Sequence, residues 1–314
     1  MRYLLIDFGA SFFKFATYDT DVIEKPFLSN SHAIKSPFTT SDVVNKNLML
    51  TILRSVSKNE FDGIVCCSII GGGWIGETYH SWKSKEVSYD NRSCLVSGLF
   101  RDSPNYHTHE HHGGDATGLN LLGKINSIPI YSSLGDTDCV INSIEIDDDE
   151  YVINIGTGSQ VISKNKNEIV VEKYIPAGRA FLSYDKFFSE LGVNFFEQLR
   201  EVSVDEILKS DMNFDLNIFP QAASFSGGGS VTNLHEGLFN KSNFFGSLIR
   251  SFVEQYGIYL NDTKKTKIKL SGGVSEKIPT LKPVFSSMYG KDVSVDFTAT
   301  PFNGMIKCIK EFLL

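Results

Sequence analysis

The chain has 314 residues, 41% of them hydrophobic and 21% charged, and a formal net charge of −7. This composition is that of an ordinary globular protein and excludes collagen-like and low-complexity chains. The negative net charge argues against a nucleic-acid-binding surface spread over the whole chain, so no nucleic-acid partner is expected.

The N-terminal sequence MRYLLIDFGA has too few apolar residues before its aspartate to be a signal peptide. No apolar run in the chain reaches about 18 residues, the length that a membrane helix requires, so we expect no membrane partner. The five cysteines are scattered and none forms a CxxC pair. This pattern predicts a reducing, cytoplasmic environment and no zinc site of regular spacing.

In the first half of the chain, LLIDFG at 4–9 indicates a strand that ends in a glycine turn, and SFFKFATYD indicates a second strand. Ser41 is the predicted N-cap of a helix that runs to about Val56, with Val44, Leu48, Ile52 and Val56 on one face. The next predicted elements are a buried strand over 61–70, a loop over 107–114, a helix over 118–125 and a strand over 128–132. Alternating strands and helices predict an α/β architecture.

The second half repeats the first: YVINIG at 151–156 follows LLIDFG at an offset of 147 residues. Each copy is predicted to be a strand, a glycine turn, a strand, a turn and a strand. The later predicted elements are a loop over 224–232, helices over 243–260 and 302–313, and strands over 266–270 and 293–297. We therefore expect two related domains, 1–146 and 147–314, that meet in the acidic stretch 147–150.

Three apolar strands run directly into small, Gly-rich turns: IDFGAS at 6–11, NIGTGS at 154–159 and LSGGVS at 270–275. Glycine lets the backbone approach a ligand closely, and successive N–H groups in such a turn form a cavity for an anion. None matches the GxxxxGK[ST] or GxGxxG patterns. Two such turns that face each other across a cleft would hold a polyphosphate.

In this order the three segments resemble the two phosphate motifs and the adenosine motif of the sugar-kinase, Hsp70 and actin superfamily. Within it, IPIYSSLGDTDCVIN at 128–142 and the wording NIGTGSQV resemble the FGGY carbohydrate kinases, particularly sedoheptulokinase-like and xylulokinase-like members. The resemblance implies an α/β fold of two ribonuclease-H-like domains with a nucleotide cleft between them. It also implies ATP and Mg²⁺ as cofactors.

Carried over residue by residue, the resemblance makes Asp136 the general base and Asp7 the residue that holds the metal. The implied cofactor-binding residues are Asp7, Gly9, Ser11, Lys14, Gly156, Thr157, Gly158, Ser159, Gly272 and Gly273. The chemistry is consistent with these types, because a carboxylate can orient a sugar hydroxyl and accept its proton. Residue type alone favours another role for Asp136, the N-cap of a helix over 138–146.

The implied substrate residues are Gly135 and Trp74. Tryptophan stacks well on sugar faces, although Trp74 is equally well interpreted as a buried packing residue. The sequence HTHEHH at 107–112 has no defined metal-ligand spacing, and a polar loop, a substrate contact or a metal site are all open for it. Arg179 is most simply a surface residue, with an anion contact near the second phosphate turn as the alternative.

The resemblance is weakest over 70–128 and 181–243, which are shorter than the corresponding parts of the family. The substrate implied is a ketose, heptulose or related polyol, phosphorylated on a hydroxyl. The alternative is a catalytically inactive nucleotide-binding regulatory module of the same fold. A phosphatase or acyl kinase of the superfamily is a third possibility, which the Gly135-Asp136 segment disfavours.

Overall fold

The computed structural model describes residues 1–21, 28–57, 60–68, 72–81, 84, 86–87, 94–100, 119–166, 168–218 and 228–314. The chain divides into two compact units. The first unit consists of Met1–Ile144 with Ala299–Leu314, and the second is Glu145–Thr298.

The first unit contains a six-stranded sheet and a separate, smaller three-stranded sheet. Its strands are β1 (Arg2–Phe8), β2 (Phe12–Asp19), β3 (Leu28–Lys35), β4 (Val43–Asn45), β5 (Gly63–Ser68), β6 (Gly73–Ile75), β7 (Thr78–His80), β8 (Asn120–Ile125) and β9 (Ile128–Ser132). The large sheet has the order β3-β2-β1-β5-β9-β8, and the small one β4-β7-β6.

The central strands of the large sheet run in one direction. β1 pairs in parallel with β5, and β5 with β9, whereas β2, β3 and β8 are antiparallel to their neighbours. The carboxyl ends of β1, β5 and β9 therefore lie at the same edge of the sheet, the edge at which open α/β sheets bind ligands.

The two faces of this sheet are covered by different side chains because neighbours along a strand point to opposite faces. Leu4, Ile6 and Phe8 of β1 enter one core, and Tyr3 and Leu5 enter the other. The second core is closed by the helices α2 (Asp136–Ser143) and α9 (Pro301–Phe312), through residues such as Cys139 and Met305.

The first helix, α1 (Lys46–Val56), begins later than predicted. Its N-cap is Asn45, whose side chain accepts from the Asn47 N–H at 2.7 Å, and Ser41 lies before β4. Its buried face carries Met49 and Leu53, whereas Leu48 is 45% exposed. Of the predicted face, Ile52 and Val56 pack against the core and Val44 is buried there from β4. Only Leu48 was predicted wrongly, because Val44 lies in a strand and does not share the helical period.

The predicted helix over 118–125 was also wrong, since Asn120–Ile125 forms β8. β8 and β9 are joined by Asn126 and Ser127, which have φ of +48° and +69°. Two consecutive residues with positive φ form the kind of two-residue turn that matches the twist of a hairpin. The strands predicted over 61–70 and 128–132 are confirmed as β5 and β9.

The second unit repeats the arrangement of the first. Its strands are β10 (Glu150–Ile155), β11 (Gly158–Asn165), β12 (Glu168–Pro176), β13 (Asn213–Asp215), β14 (Ser230–Thr232), β15 (Lys267–Ser271) and β16 (Asp292–Val295). The main sheet has the order β12-β11-β10-β15-β16, with β10, β15 and β16 parallel. β13 and β14 form a separate pair, so part of the loop predicted over 224–232 is a strand.

The helices of the second unit cover its sheet with an aromatic core. They are α3 (Gly178–Glu190), α4 (Phe195–Glu201), α5 (Val204–Lys209), α6 (Lys241–Glu254), α7 (Gly273–Lys277) and α8 (Leu281–Tyr289). Phe181 and Phe252 meet edge to face with ring centres 4.9 Å apart, and Tyr256 continues the row to Phe285. Such contacts add stability beyond that of area burial.

Two features differ from the predicted domain organisation. The first unit ends at Ile144, two residues before the predicted boundary, and Glu150 of the acidic stretch is buried in β10 and paired with Lys269 at 2.8 Å. The closing helix α9 belongs to the first unit, whereas the prediction assigned 302–313 to the second.

In the described ranges, no helix is both long and apolar enough to cross a bilayer.

Candidate active site

The first half of the site stands at the end of β1. Asp7 follows Tyr3 and Leu5 with a period of two, so its side chain points to the face that α2 covers, and it is only 3% exposed. It lies opposite Lys14 of β2, and Lys14 Nζ is 3.0 Å from Asp7 Oδ2. The thiol of Cys67, the neighbour on β5, donates to Asp7 Oδ1 at 3.7 Å. Both oxygens of the buried carboxylate are thereby held.

The ion pair also fixes the charge of the lysine. Burial by itself lowers the pKa of Lys14, but the charge and hydrogen bond of Asp7, together with Cys67 and Asp136, outweigh it, so the pKa lies above its ordinary value. Lys14 therefore remains a cation at neutral pH. Its charge offsets one of the two carboxylates that meet here.

The second carboxylate, Asp136, is the first residue of α2. The N-cap is Gly135, in an extended conformation, and Asp136 Oδ1 accepts from the Thr137 N–H at 2.8 Å. Asp136 is thus not the N-cap, and α2 begins two residues before the predicted start. A negative charge in the first turn is favoured by the helix dipole, which helps to keep a carboxylate in this half-buried position.

The surroundings of Asp136 change its acidity. Burial, together with repulsion from the Asp7 carboxylate, raises the pKa of Asp136 to about 6. The Thr137 N–H and Lys14 act in the opposite direction. The structure therefore brings Asp7, Lys14 and Asp136 into one electrostatic group, and gives Asp136 a pKa near neutrality, where a general base works best.

Glycine 304 of α9 sets the position of α2. A Cβ at Gly304 would collide with the carbonyl group of Cys139, so only glycine lets α9 approach α2 this closely. Cys139 in turn donates its thiol to the Leu134 carbonyl oxygen at 3.4 Å. The backbone around Asp136 is thereby held from both sides.

The first glycine turn joins β1 to β2. The Gly9 N–H donates to the Phe12 carbonyl oxygen at 3.1 Å, and a Cβ at Gly9 would lie 2.8 Å from that same oxygen. The Ser11 carbonyl oxygen accepts from the Ser36 N–H at 3.0 Å. Gly9 is therefore required for the shape of the turn, and its own N–H is already used within it.

The second glycine turn, in the second unit, is tied to the start of α3. The Gly156 carbonyl oxygen accepts from the Gly178 N–H at 3.0 Å, and the Thr157 carbonyl oxygen accepts from the Arg179 N–H at 2.8 Å. A Cβ at Gly178 would collide with the Gly156 carbonyl oxygen. Sequence reasoning missed Gly178; its signal was a glycine directly after a strand, next to Arg179. Thr157, at the tip of the turn, is exposed.

The third glycine turn lies against the second. Gly272 has φ of +88°, and a Cβ there would lie 2.5 Å from the Ile155 carbonyl oxygen and 2.9 Å from Asn154 Oδ1. A Cβ at the next residue, Gly273, would meet no atom within 4 Å. Gly272 thus permits close packing, and Gly273 leaves open space beside the turn.

Two of the predicted site residues face a core. Ser159 is 0% exposed, and its hydroxyl faces that of Tyr256. Burial raises the pKa of Tyr256, and the Ser159 hydroxyl partly opposes that rise. Its side chain therefore does not reach a nucleotide. Trp74 is 3% exposed, and its Nε1–H donates to the Leu95 carbonyl oxygen at 3.2 Å. An indole so buried offers no face to a sugar, and the packing alternative is the one that fits.

Candidate metal ligands are few. Within the part of the chain that the structure describes, no group of three or more His, Cys, Asp or Glu side chains is arranged to hold an ion. Mg²⁺ does not require such a group, since it is held by one or two carboxylates together with water and substrate phosphates. The predicted cluster over 107–112 lies outside the described residues.

Neither a protein-family model nor a curated protein matches the sequence, but solved structures match the fold. A ligand-bound xylulose kinase from Lactobacillus acidophilus has a TM-score of 0.66 at 10% identity, over 99% of this chain and 89% of the kinase. The chain has the actin-like fold of the sugar kinases. A xylulose kinase from Bifidobacterium adolescentis (TM-score 0.58, 10% identity, 99% and 93% covered) shares this sugar-kinase fold. Glycerol kinase from Plasmodium falciparum with ADP also shares it, with a TM-score of 0.58 at 10% identity over 99% of this chain and 89% of the kinase.

These comparisons confirm the fold that the three glycine motifs and the internal repeat predict. In both units the strand that begins the repeat is central, with two antiparallel strands on one side and two parallel strands on the other, to which the first unit adds the antiparallel edge strand β8. At these identities the likeness concerns the fold, and a fold hosts many functions. The activity is therefore argued from Asp136 and its neighbours.

Proposed function

We propose that the protein is a carbohydrate kinase that uses ATP and Mg²⁺ to phosphorylate a hydroxyl of a ketose, heptulose or related polyol. The observation that carries the proposal is Asp136. It is a half-buried carboxylate with a pKa of about 6, beside the Asp7–Lys14 ion pair at the carboxyl ends of parallel strands. The sugar-kinase fold supports the same conclusion.

In this proposal Asp136 is the general base. Its Oδ1 is occupied by the Thr137 N–H, so Oδ2 is the oxygen that accepts the proton of the sugar hydroxyl. The hydroxyl oxygen forms a bond to the γ-phosphorus, the bond from that phosphorus to the bridging oxygen breaks, and ADP leaves. A pKa of about 6 keeps Asp136 largely ionised at pH 7 yet able to hold a proton during the step.

The carboxylates fit a magnesium ion. Asp7 and Asp136 repel each other strongly enough to help raise the Asp136 pKa, and Lys14 compensates only one of the two charges. We propose that Asp7 holds Mg²⁺, directly or through water. When bound, the ion neutralises charge on the transferring phosphoryl group.

The nucleotide-binding residues are assigned to both glycine-rich regions of the second unit and to the first turn. Gly156, Thr157 and Gly158 form a turn whose tip is exposed, and Gly273 leaves open space beside it. In the first unit, Ser11 lies in the turn after β1, and Lys14 lies on β2 opposite Asp7. Backbone N–H groups in such turns bind phosphates without a basic patch, which suits a chain of net charge −7.

The substrate is a small sugar, and Gly135 is the proposed neighbour of its reacting hydroxyl because it directly precedes Asp136. All five cysteines are buried free thiols, which supports a reducing compartment such as the cytoplasm. Nucleic acids and membranes have no part in the proposed reaction.

The test is ATP turnover against a panel of ketoses, heptuloses and polyols, with the sugar phosphate identified by mass spectrometry. Asp136→Asn should lower kcat by about 100-fold to 10,000-fold, the usual contribution of a general base. Asp138→Asn removes a carboxylate from the same helical turn and should retain most activity. Loss of rate in both variants alike, or ADP release without phosphorylated sugar, would contradict the proposal.

A further inference from the structure

The two repeats carry different side-chain pairs at the same place. In the first unit Asp7 of β1 lies opposite Lys14 of β2, and the two form an ion pair at 3.0 Å. In the second unit Asn154 of β10 lies opposite Gln160 of β11, and Asn154 Nδ2 donates to Gln160 Oε1 at 2.8 Å. An ion pair in one unit thus corresponds to a neutral amide pair in the other.

The amide pair belongs to a row of three hydrogen-bonded side chains. Ser271, the last residue of β15, donates its hydroxyl to Asn154 Oδ1 at 3.3 Å. Asn154 then donates its amide to Gln160 Oε1, which leaves both Nε2 hydrogens of Gln160 without a protein partner among the residues that the structure describes. A donor at the end of a fixed row is ready to bind an acceptor from outside the protein.

The row lies between the two glycine-rich turns of this unit. Asn154 and Gln160 form the strand pair directly before Ile155 and Ser159, which close the turn over 156–158. Asn154 Oδ1 also lies against the Gly272 backbone, where a Cβ would be 2.9 Å away. The free amide of Gln160 is therefore placed beside the segments that we assign to the nucleotide.

We infer that Gln160 is a nucleotide-binding residue, whose Nε2–H donates to a phosphate oxygen of a nucleoside triphosphate. Asn154 and Ser271 are the positioning residues that hold this amide in place. The inference rests on the proposed kinase function. The Asn154–Gln160 pair is neutral and offers a hydrogen-bond donor to the phosphates. A carboxylate at this place would repel them, as Asp7 would if Lys14 and the metal ion did not compensate its charge.

The inference is tested by isothermal titration of the full chain with ATP, and separately with adenosine, for wild type, Gln160→Met and Gln160→Glu. Methionine keeps the size of the side chain and removes the donor. Glutamate also adds a charge. We expect the dissociation constant for ATP to rise at least about tenfold in Gln160→Met and further in Gln160→Glu, because a hydrogen bond to a charged group is lost.

The affinity for adenosine, which has no phosphate, distinguishes the loss of a phosphate contact from a displacement of the glycine-rich turn. Adenosine affinity should stay within about twofold of wild type in both variants. Gln198→Glu, which adds the same charge on α4, should leave both affinities unchanged. ATP affinity that stays within twofold in both Gln160 variants, or an equal loss for adenosine and ATP, would overturn the assignment. If wild type phosphorylates no sugar but Gln160 variants still lose ATP affinity, the kinase proposal fails while Gln160 stands.

Discussion

Replacing Asp136 by asparagine tests both the proposed role of its carboxylate and its raised pKa, because one substitution should lower turnover by about 100-fold to 10,000-fold and also stabilise the fold. With a pKa of about 6, Asp136 in the wild-type protein is roughly 90% ionised at pH 7 and roughly 10% at pH 5. The kcat/KM for the sugar should therefore fall about tenfold between these values. An aspartate at its ordinary pKa of 3.8 would remain ionised and give an almost flat profile.

The stability effect has the opposite sign to that of an ordinary acidic residue. Because the folded chain holds the Asp136 proton more tightly than the unfolded chain does, the stabilisation is full below about pH 4 and is lost as the pH rises through about 6. A difference of about two pKa units corresponds to about 3 kcal/mol, and water that reaches the half-buried group reduces this to about 1–3 kcal/mol. Asp136→Asn avoids that loss.

The assay is thermal unfolding without nucleotide at pH 4.5 and pH 8, followed by circular dichroism. Asp136→Asn should raise Tm by a few degrees at pH 8 and by only about a third as much at pH 4.5, where the unfolded chain has already begun to ionise at Asp136. About 1 kcal/mol corresponds to roughly 2–4 °C in a unit of this size. An equal change of Tm at both pH values would refute the argument, because an effect of titration must depend on pH. A flat kcat/KM profile down to pH 5 would refute the shifted pKa of the base.

Three further substitutions test the neighbours. Lys14→Gln removes a charge that lowers the Asp136 pKa, so the acid limb of the kcat/KM profile should move to higher pH. Gly178→Ala should destabilise the second unit by about 1–3 kcal/mol and weaken ATP binding, because its Cβ would displace the Gly156 carbonyl group. Trp74→Phe should cost about 1–3 kcal/mol in urea unfolding, through lost packing and a lost hydrogen bond, while KM for the sugar stays within about twofold.

Each of these has a result that would count against it. An acid limb that stays in place or moves to lower pH in Lys14→Gln would mean that the lysine does not act on the base. Gly237→Ala is the control for the glycine, since a Cβ there would meet no atom within 4 Å; equal behaviour of Gly237→Ala and Gly178→Ala would remove the proposed collision. A tenfold rise of KM at unchanged stability in Trp74→Phe would restore the sugar contact.

Much of the fold follows from local patterns. The alternation of apolar residues and the position of glycines predict β1, β2, β10 and β11, and the 147-residue repeat predicts that the two sheets are related. The hairpin of β8 and β9 was missed because Asn126 and Ser127 take positive φ without being glycine. The prediction therefore placed a helix, and not a second strand, directly before them.

The site was predicted less completely, because its chemistry arises from long-range packing. Resemblance places Asp136 near a phosphate turn, but its pKa depends on burial and on Asp7, which is 129 residues earlier in the chain. Ser159 shows the reverse case: its position opposite Ile155, a core residue, already indicates an inward side chain by the period of two. The motif resemblance hid that signal.

The membership of α9 in the first unit has a consequence for synthesis on the ribosome. The second unit is one continuous segment, Glu145–Thr298, and can complete its sheet while the chain is still being made. The first unit is not continuous, because the helix that packs on α2 through Gly304 follows the whole second unit in the chain. The acidic group of Asp7 and Asp136 therefore receives its full support only once α9 has been made and has packed on α2. A released chain truncated after Thr298 should therefore keep a folded second unit, while its first unit lacks the helix that supports Asp136.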